Sequence, residues 1–262
     1  MPNPPETVKP DLPPPARWKT GFSKPNIAIA LGTVAVVLAG APYVVPGVQS
    51  LQVRQGLTNQ PKILEETIKK LDEVKAAEKQ KAADVAIKAN YEALYDDPRD
   101  PVIGDANAPI TIIEFADYNC GVCKAFTPEL EALLAENTDV KLIIKEYPVI
   151  DPVPSRALAS YALATKDSGR YDEVHSAFMT SKFTTEADVM QALTTLGFDA
   201  QAVATKAKSE AIQDHINTVE KLGAQLGING TPTFIVGGIL VNGADLNGLN
   251  AAIAAQRKVT AK

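Results

Sequence analysis

The sequence predicts an α/β domain with a helical insertion, set behind an apolar segment and a charged helix. Three observations predict it. Short runs rich in β-branched residues stand at 109–115, 140–150 and 233–242. A block of helical periodicity at 155–226 separates the second run from the third. The composition also changes abruptly three times ahead of them.

The chain has 262 residues, 45% hydrophobic and 22% charged, which is long enough for a real core. Its net charge of −5, from 26 basic and 31 acidic residues, comes with no basic stripe and excludes nucleic acid as a partner. Residues 1–25 hold Pro2, Pro4, Pro5, Pro10, Pro13, Pro14, Pro15 and Pro25, too many for a helix or a packed strand. A disordered or extended cytoplasmic tail is expected. The stretch IAIALGTVAVVLAGAPYVV, residues 27–45, carries no charge. At about 1.5 Å per residue it spans a bilayer, so a transmembrane helix is expected over 26–46.

Arg17, Lys19 and Lys24 precede this segment and only Arg54 closely follows it. Positive charge stays inside, so the expected location is the inner (cytoplasmic) membrane: a single pass, the amino end cytoplasmic and the rest periplasmic. Ala39-Gly40-Ala41 resembles a signal-peptidase site, but Pro42 would follow the cut and the leading region is long for a signal. Either reading exports the remainder.

Residues 47–97 are expected to form a helical stalk. Leu57, Leu64, Leu71 and Val85 recur at multiples of seven, with Ile68, Val74, Ala82 and Ala89 between them. The helix is either a solvated spacer or a coiled-coil oligomerisation segment, since its apolar stripe has little else to cover it. Asp96-Asp97-Pro98-Arg99-Asp100-Pro101 stops it, and a compact domain is expected over 98–262. There PITIIEF and VKLIIKEYPVI read as buried strands flanking the helix KAFTPELEALLAEN. The helical insertion covers 153–227, a hairpin turns at Gly237-Gly238, and DLNGLNAAIAAQ closes the chain as a helix. The order strand–helix–strand, helical block, strand–strand–helix is that of a thioredoxin-like fold.

The only two cysteines, Cys120 and Cys123, sit in FADYNCGVCKAF. Zinc needs three or four ligands, and His175 and His215 are far off, unpaired and in helices, so no metal is expected. A pair placed straight after a strand and opening a helix suits redox chemistry. Cys120 stands at the helix amino end, where free N–H groups and the dipole favour a thiolate. It is expected to attack, and Cys123, one turn inside, to resolve the mixed disulfide. A static bridge closing so small a loop would stabilise little.

EFADYNCGVCK, KEYPVI, YDEVHSAFM and LGINGTPTFIVGG, within 85–257, resemble the DsbA-like family of extracytoplasmic thiol:disulfide oxidoreductases. The likeness is to its suppressor-of-copper-sensitivity (ScsC-like) branch. It implies that Pro232 is a cis proline facing the cysteines and that Thr231 pairs with bound peptide. It also implies that Glu114 is the acidic residue beneath the site, with Lys145 or Glu146 as its partner from the next strand. It implies no cofactor, exported cysteine-containing clients, and a membrane partner that resets the pair. Two departures stand out. Gly121-Val122 brings no cation to Cys120, so a milder couple is expected, and Ala116 replaces an aromatic beside the groove. With the stalk, the likeness implies an isomerase or reductase. A monomeric oxidase or a copper-handling thiol module is the alternative.

Overall fold

A computed structural model describes residues 61–260. The expected tail, membrane segment and first part of the stalk lie outside the described residues. Among the described residues no helix is long and apolar enough to cross a membrane. The chain divides into two units, Met1–Leu71 and Asp72–Lys262.

The stalk reading meets helix α1, Pro61–Ala89, which breaks at Asn90 and resumes as α2, Tyr91–Tyr95. The expected heptad residues Leu64, Ile68, Leu71, Val74 and Val85 are exposed. A different face, Ala83, Ile87 and Leu94, packs into the core of the second unit. The last turns of the helix pack with the compact unit, because these small and aliphatic residues share a core with Ile113, Phe115, Ile143 and Ile235.

That sheet has five strands: β1 (Val102–Ile103), β2 (Ile110–Ala116), β3 (Val140–Glu146), β4 (Thr233–Val236) and β5 (Ile239–Asn242). Their order is β1-β3-β2-β4-β5, with β2 and β3 parallel and every other pairing antiparallel. The crossover between the parallel pair is α3, Gly121–Glu136, as a parallel connection requires. The helical block resolves into α4 (Pro152–Ala164), α5 (Tyr171–Thr180), α6 (Glu186–Thr195), α7 (Ala200–Ala207) and α8 (Glu210–Gln225). Helix α9, Leu246–Thr260, closes the described chain.

Alternation along the strands divides the core in two. Ile110, Ile112 and Ala116 of β2, with Val140, Leu142 and Ile144 of β3, face the larger core, which also takes both cysteines, α3, α4 and α5. Ile113 and Phe115, with Ile143 and Tyr147, face the smaller core with Ala83, Ile87 and Leu94. Gly223 on α8 is a forced choice there: a Cβ would lie 2.5 Å from the Tyr147 ring.

Candidate active site

Strand β2 ends at Ala116, and Cys120 is the N-cap of α3. Asp117 holds the intervening turn: its Oδ1 accepts from Asn119 N at 2.8 Å and its Oδ2 from Ile150 N at 2.8 Å. Asn119 Nδ2 donates to Ser155 Oγ at 3.1 Å. These bonds bring residues 150–155 beside the cysteines, so that Val122, Ile150 and Val153 give the site exposed apolar surroundings.

Both cysteines are reduced and buried, so environment rather than exposure distinguishes them. Cys120 Sγ accepts from Cys123 N at 3.3 Å, a helix-start donor aimed at the sulfur. Hydrogen bonding from the Cys123 thiol, ahead of the opposing effect of burial, lowers the Cys120 pKa to about 5. As a thiol, Cys120 donates to Thr231 O at 3.2 Å. That bond is lost on ionisation, and the buried Thr231 hydroxyl, which has no other partner among the described residues, is then placed to donate to the thiolate. Backbone N–H groups stand in for the side-chain cation that Gly121-Val122 lacks. Cys123 is pushed the other way, by the Cys120 sulfur first and then by burial. One sulfur is an available thiolate and the other a guarded thiol.

The Thr231–Pro232 peptide bond is cis, in the segment before β4, and Thr231 faces Cys120. Glu114 lies on β2 and is buried with Oε2 unpartnered among the described residues. Burial, with the nearby Cys120 charge added, raises its pKa to about 8. Ala116 is buried at the strand end and does not line a groove.

The two candidates for a partner to Glu114 separate. Lys145 points to the opposite face of the sheet, where its Nζ donates to Asp100 and, at 2.5 Å, to Ala93 O. It is not brought to the cysteines, because a strand's consecutive residues alternate faces. Glu146 shares the face of Glu114. Its Oε1 accepts from Tyr118 Oη at 2.7 Å and Tyr171 Oη at 2.5 Å. His175 Nδ1 is 2.9 Å from Tyr118 Oη, so one of the two helix histidines read as ordinary is part of the site's surroundings. Burial raises Glu146 to about 8 and lowers His175 to about 4. Sequence reasoning missed this cluster of Tyr118, Glu146, Tyr171 and His175. The i,i+4 spacing of Tyr171 and His175 was the available signal.

The thioredoxin family model matches residues 96–255, and the chain belongs to that family. Its relatives include Disulfide bond formation protein D of Bacillus subtilis, 28% identical over 60% of this chain and 77% of that protein. The thiol-disulfide exchange protein alpha-DsbA2 of Wolbachia pipientis is 27% identical, covering 67% of this chain and 96% of that one at a TM-score of 0.62. The catalytic domain of Proteus mirabilis ScsC is also 27% identical, over 66% and 97%, at a TM-score of 0.58. The structural neighbours are thus DsbA-like and ScsC proteins. The chain also matches 25% of the length of a Salinispora arenicola protein named as a Na(+)/H(+) antiporter, at 28% identity over 60% of this chain.

Proposed function

We propose that the protein is a thiol:disulfide oxidoreductase acting on cysteines of exported proteins, in the isomerase or reductase direction. The observation that carries it is the asymmetry of the pair: Cys120 with its pKa lowered to about 5 at a helix N-cap, and Cys123 a buried thiol behind it. Cys120 attacks a client disulfide, and Cys123 resolves the mixed disulfide. Thr231 and Pro232 flank the attacking sulfur, and Glu114 handles the Cys123 proton. The exposed Val122, Ile150 and Val153 suit an unfolded apolar client segment.

The reading includes an inner-membrane anchor at 26–46 with the domain on the periplasmic side, where a membrane partner resets the pair. It also includes self-association through the stalk, supported by the exposed stripe on α1. A monomeric oxidase is the second reading. What favours it is that a stabilised thiolate favours the reduced protein, which makes the disulfide form oxidising.

Refolding of scrambled ribonuclease tests the proposal. The parent should restore ribonuclease activity, Cys120→Ala should lose this entirely, and Cys123→Ala should accumulate the mixed disulfide. Full activity in Cys120→Ala would sink the reading. Catalysis of reduced but not scrambled ribonuclease would select the oxidase.

A further inference from the structure

Thiol–disulfide exchange needs a proton to leave the buried Cys123 thiol while a client covers the cysteine face. The Cys120 thiolate attacks the client disulfide, forming a mixed disulfide and releasing one client thiolate. Cys123 then gives its proton away and attacks Cys120 Sγ, forming the enzyme disulfide and releasing the second client thiolate. The client gains two electrons, the enzyme dithiol loses two, and one proton must travel from Cys123 to water.

We propose that the Tyr118–Glu146–Tyr171–His175 cluster is the conduit for that proton, linking Glu114 to water in a lateral cleft beside His175, away from the client. The proposal rests on the exchange chemistry proposed above. Glu114 and Glu146 stand on adjacent parallel strands, on one face, two residues apart in register. Each has a buried Oε2 with no partner among the described residues, and the Glu114 charge raises the Glu146 pKa. No hydrogen bond joins the two carboxyls among the described residues, and their mutual repulsion favours keeping one proton between them over two charges.

From Glu146 the path is hydrogen-bonded throughout. Tyr118 Oη and Tyr171 Oη both donate to Glu146 Oε1, and they lie 3.2 Å apart. Tyr118 Oη and His175 Nδ1 lie 2.9 Å apart, a contact that either ring tautomer can make. An outgoing proton moves when Nδ1 accepts from Tyr118 Oη, which takes the Glu146 proton in its place, and Nε2–H donates toward the cleft. The ring borders a cleft of about 300 Å³ between α3 and α5, whose rim carries Glu131, Asp172 and Glu173. A neutral imidazole with one nitrogen on the cluster and the other toward the cleft passes protons by exchanging tautomers. Asp117 also faces the cluster and raises Glu146, while Glu173 is paired with Arg170. None of the four residues touches a reacting sulfur. They act through Glu114, as positioning residues.

The reduced full chain is mixed with a disulfide-linked peptide, quenched in acid between pH 6 and pH 9, and the mixed disulfide and the oxidised protein are resolved by mass. His175→Ala should lengthen the life of the mixed disulfide roughly tenfold, below what a directly positioned acid–base group supplies. Added imidazole, small enough for the cleft, should shorten it again. Glu146→Gln should flatten its pH dependence around pH 8. If His175→Ala does not fold, His175→Gln, which bonds but cannot exchange tautomers, is read the same way. A lifetime and pH profile equal to the parent's in both variants overturns the conduit. So does a slowing that imidazole leaves untouched with the pH profile unchanged. If the parent itself forms no mixed disulfide, the exchange reading falls, and the conduit with it.

Discussion

The two faces of the central sheet bury comparable numbers of ionisable side chains and treat them in opposite ways. On the cysteine face, Glu114 and Glu146 are buried without a cation, so burial dominates and both carboxyls are held near pKa 8. On the other face, Lys145 and Asp100 form an ion pair at 1% and 2% side-chain exposure, and His215 Nε2 lies 3.1 Å from Asp100 Oδ1. Asp97 beside them is less deeply buried, and bonds from Arg99 outweigh desolvation and lower its pKa to about 2. Burial alone therefore decides nothing about charge. Where an opposite charge is supplied, the pair ties structure together: Lys145, whose pKa burial lowers, joins β3 to Ala93 of α2 and to Asp100. Where none is supplied, the group becomes a place to keep a proton near neutral pH.

Three measurements break or sharpen this contrast. The largest effect is expected from Lys145→Ala, which leaves Asp100 buried without its cation. Loss of one partner of a buried pair costs about 3–5 kcal/mol, read as a shift in the denaturant midpoint at constant slope. A loss below about 1 kcal/mol would mean that the two faces do not differ in the way described.

Glu114→Gln should act in the opposite direction. The native carboxyl keeps a proton that the unfolded chain releases from about pH 4.5, so native stability falls as pH rises from there to about 8 and levels off above. The variant removes that fall. Its advantage over the parent should grow between about pH 4.5 and pH 8, to about 5 kcal/mol at most, at about 1.4 kcal/mol per unit. Because the Cys120 charge contributes to the raised value, the gain should be larger in the reduced protein than in the oxidised one. A gain that does not vary with pH would show that Glu114 is ionised throughout.

The smallest expected effect is in acid. His175 is neutral in the native state down to about pH 4, whereas the unfolded imidazole protonates from about 6.5. Parent stability should fall as pH drops through that window, by about 3 kcal/mol in total. His175→Gln, compared by thermal unfolding at pH 4.5 and pH 7, should lose most of that slope. An unchanged slope would place the proton uptake elsewhere.

Much of this was legible in the residues. The β-branched runs, the punctuation by Gly and Pro, and the helical spacing at 155–226 set out strand–helix–strand, insertion, hairpin and helix, because periodicity and turn chemistry are local. Two cysteines at i,i+3 after a buried strand marked the site for the same reason, since their geometry is set by one helix start. Which neighbour shares the face of Glu114 was not legible. Lys145 and Glu146 are adjacent, equally buried and equally plausible as a string of letters, and strand register sends one to each face. Which residues of the helix meet the compact unit was not legible for a related reason. A heptad reading ranks Leu64, Leu71 and Val85 highest, while the domain takes Ala83 and Ile87, whose small and aliphatic side chains fit the sheet. Local pattern by itself determined the elements and the cysteine pair. Only the tertiary structure decided which charges meet, because that depends on which face each strand residue presents and what packs against it.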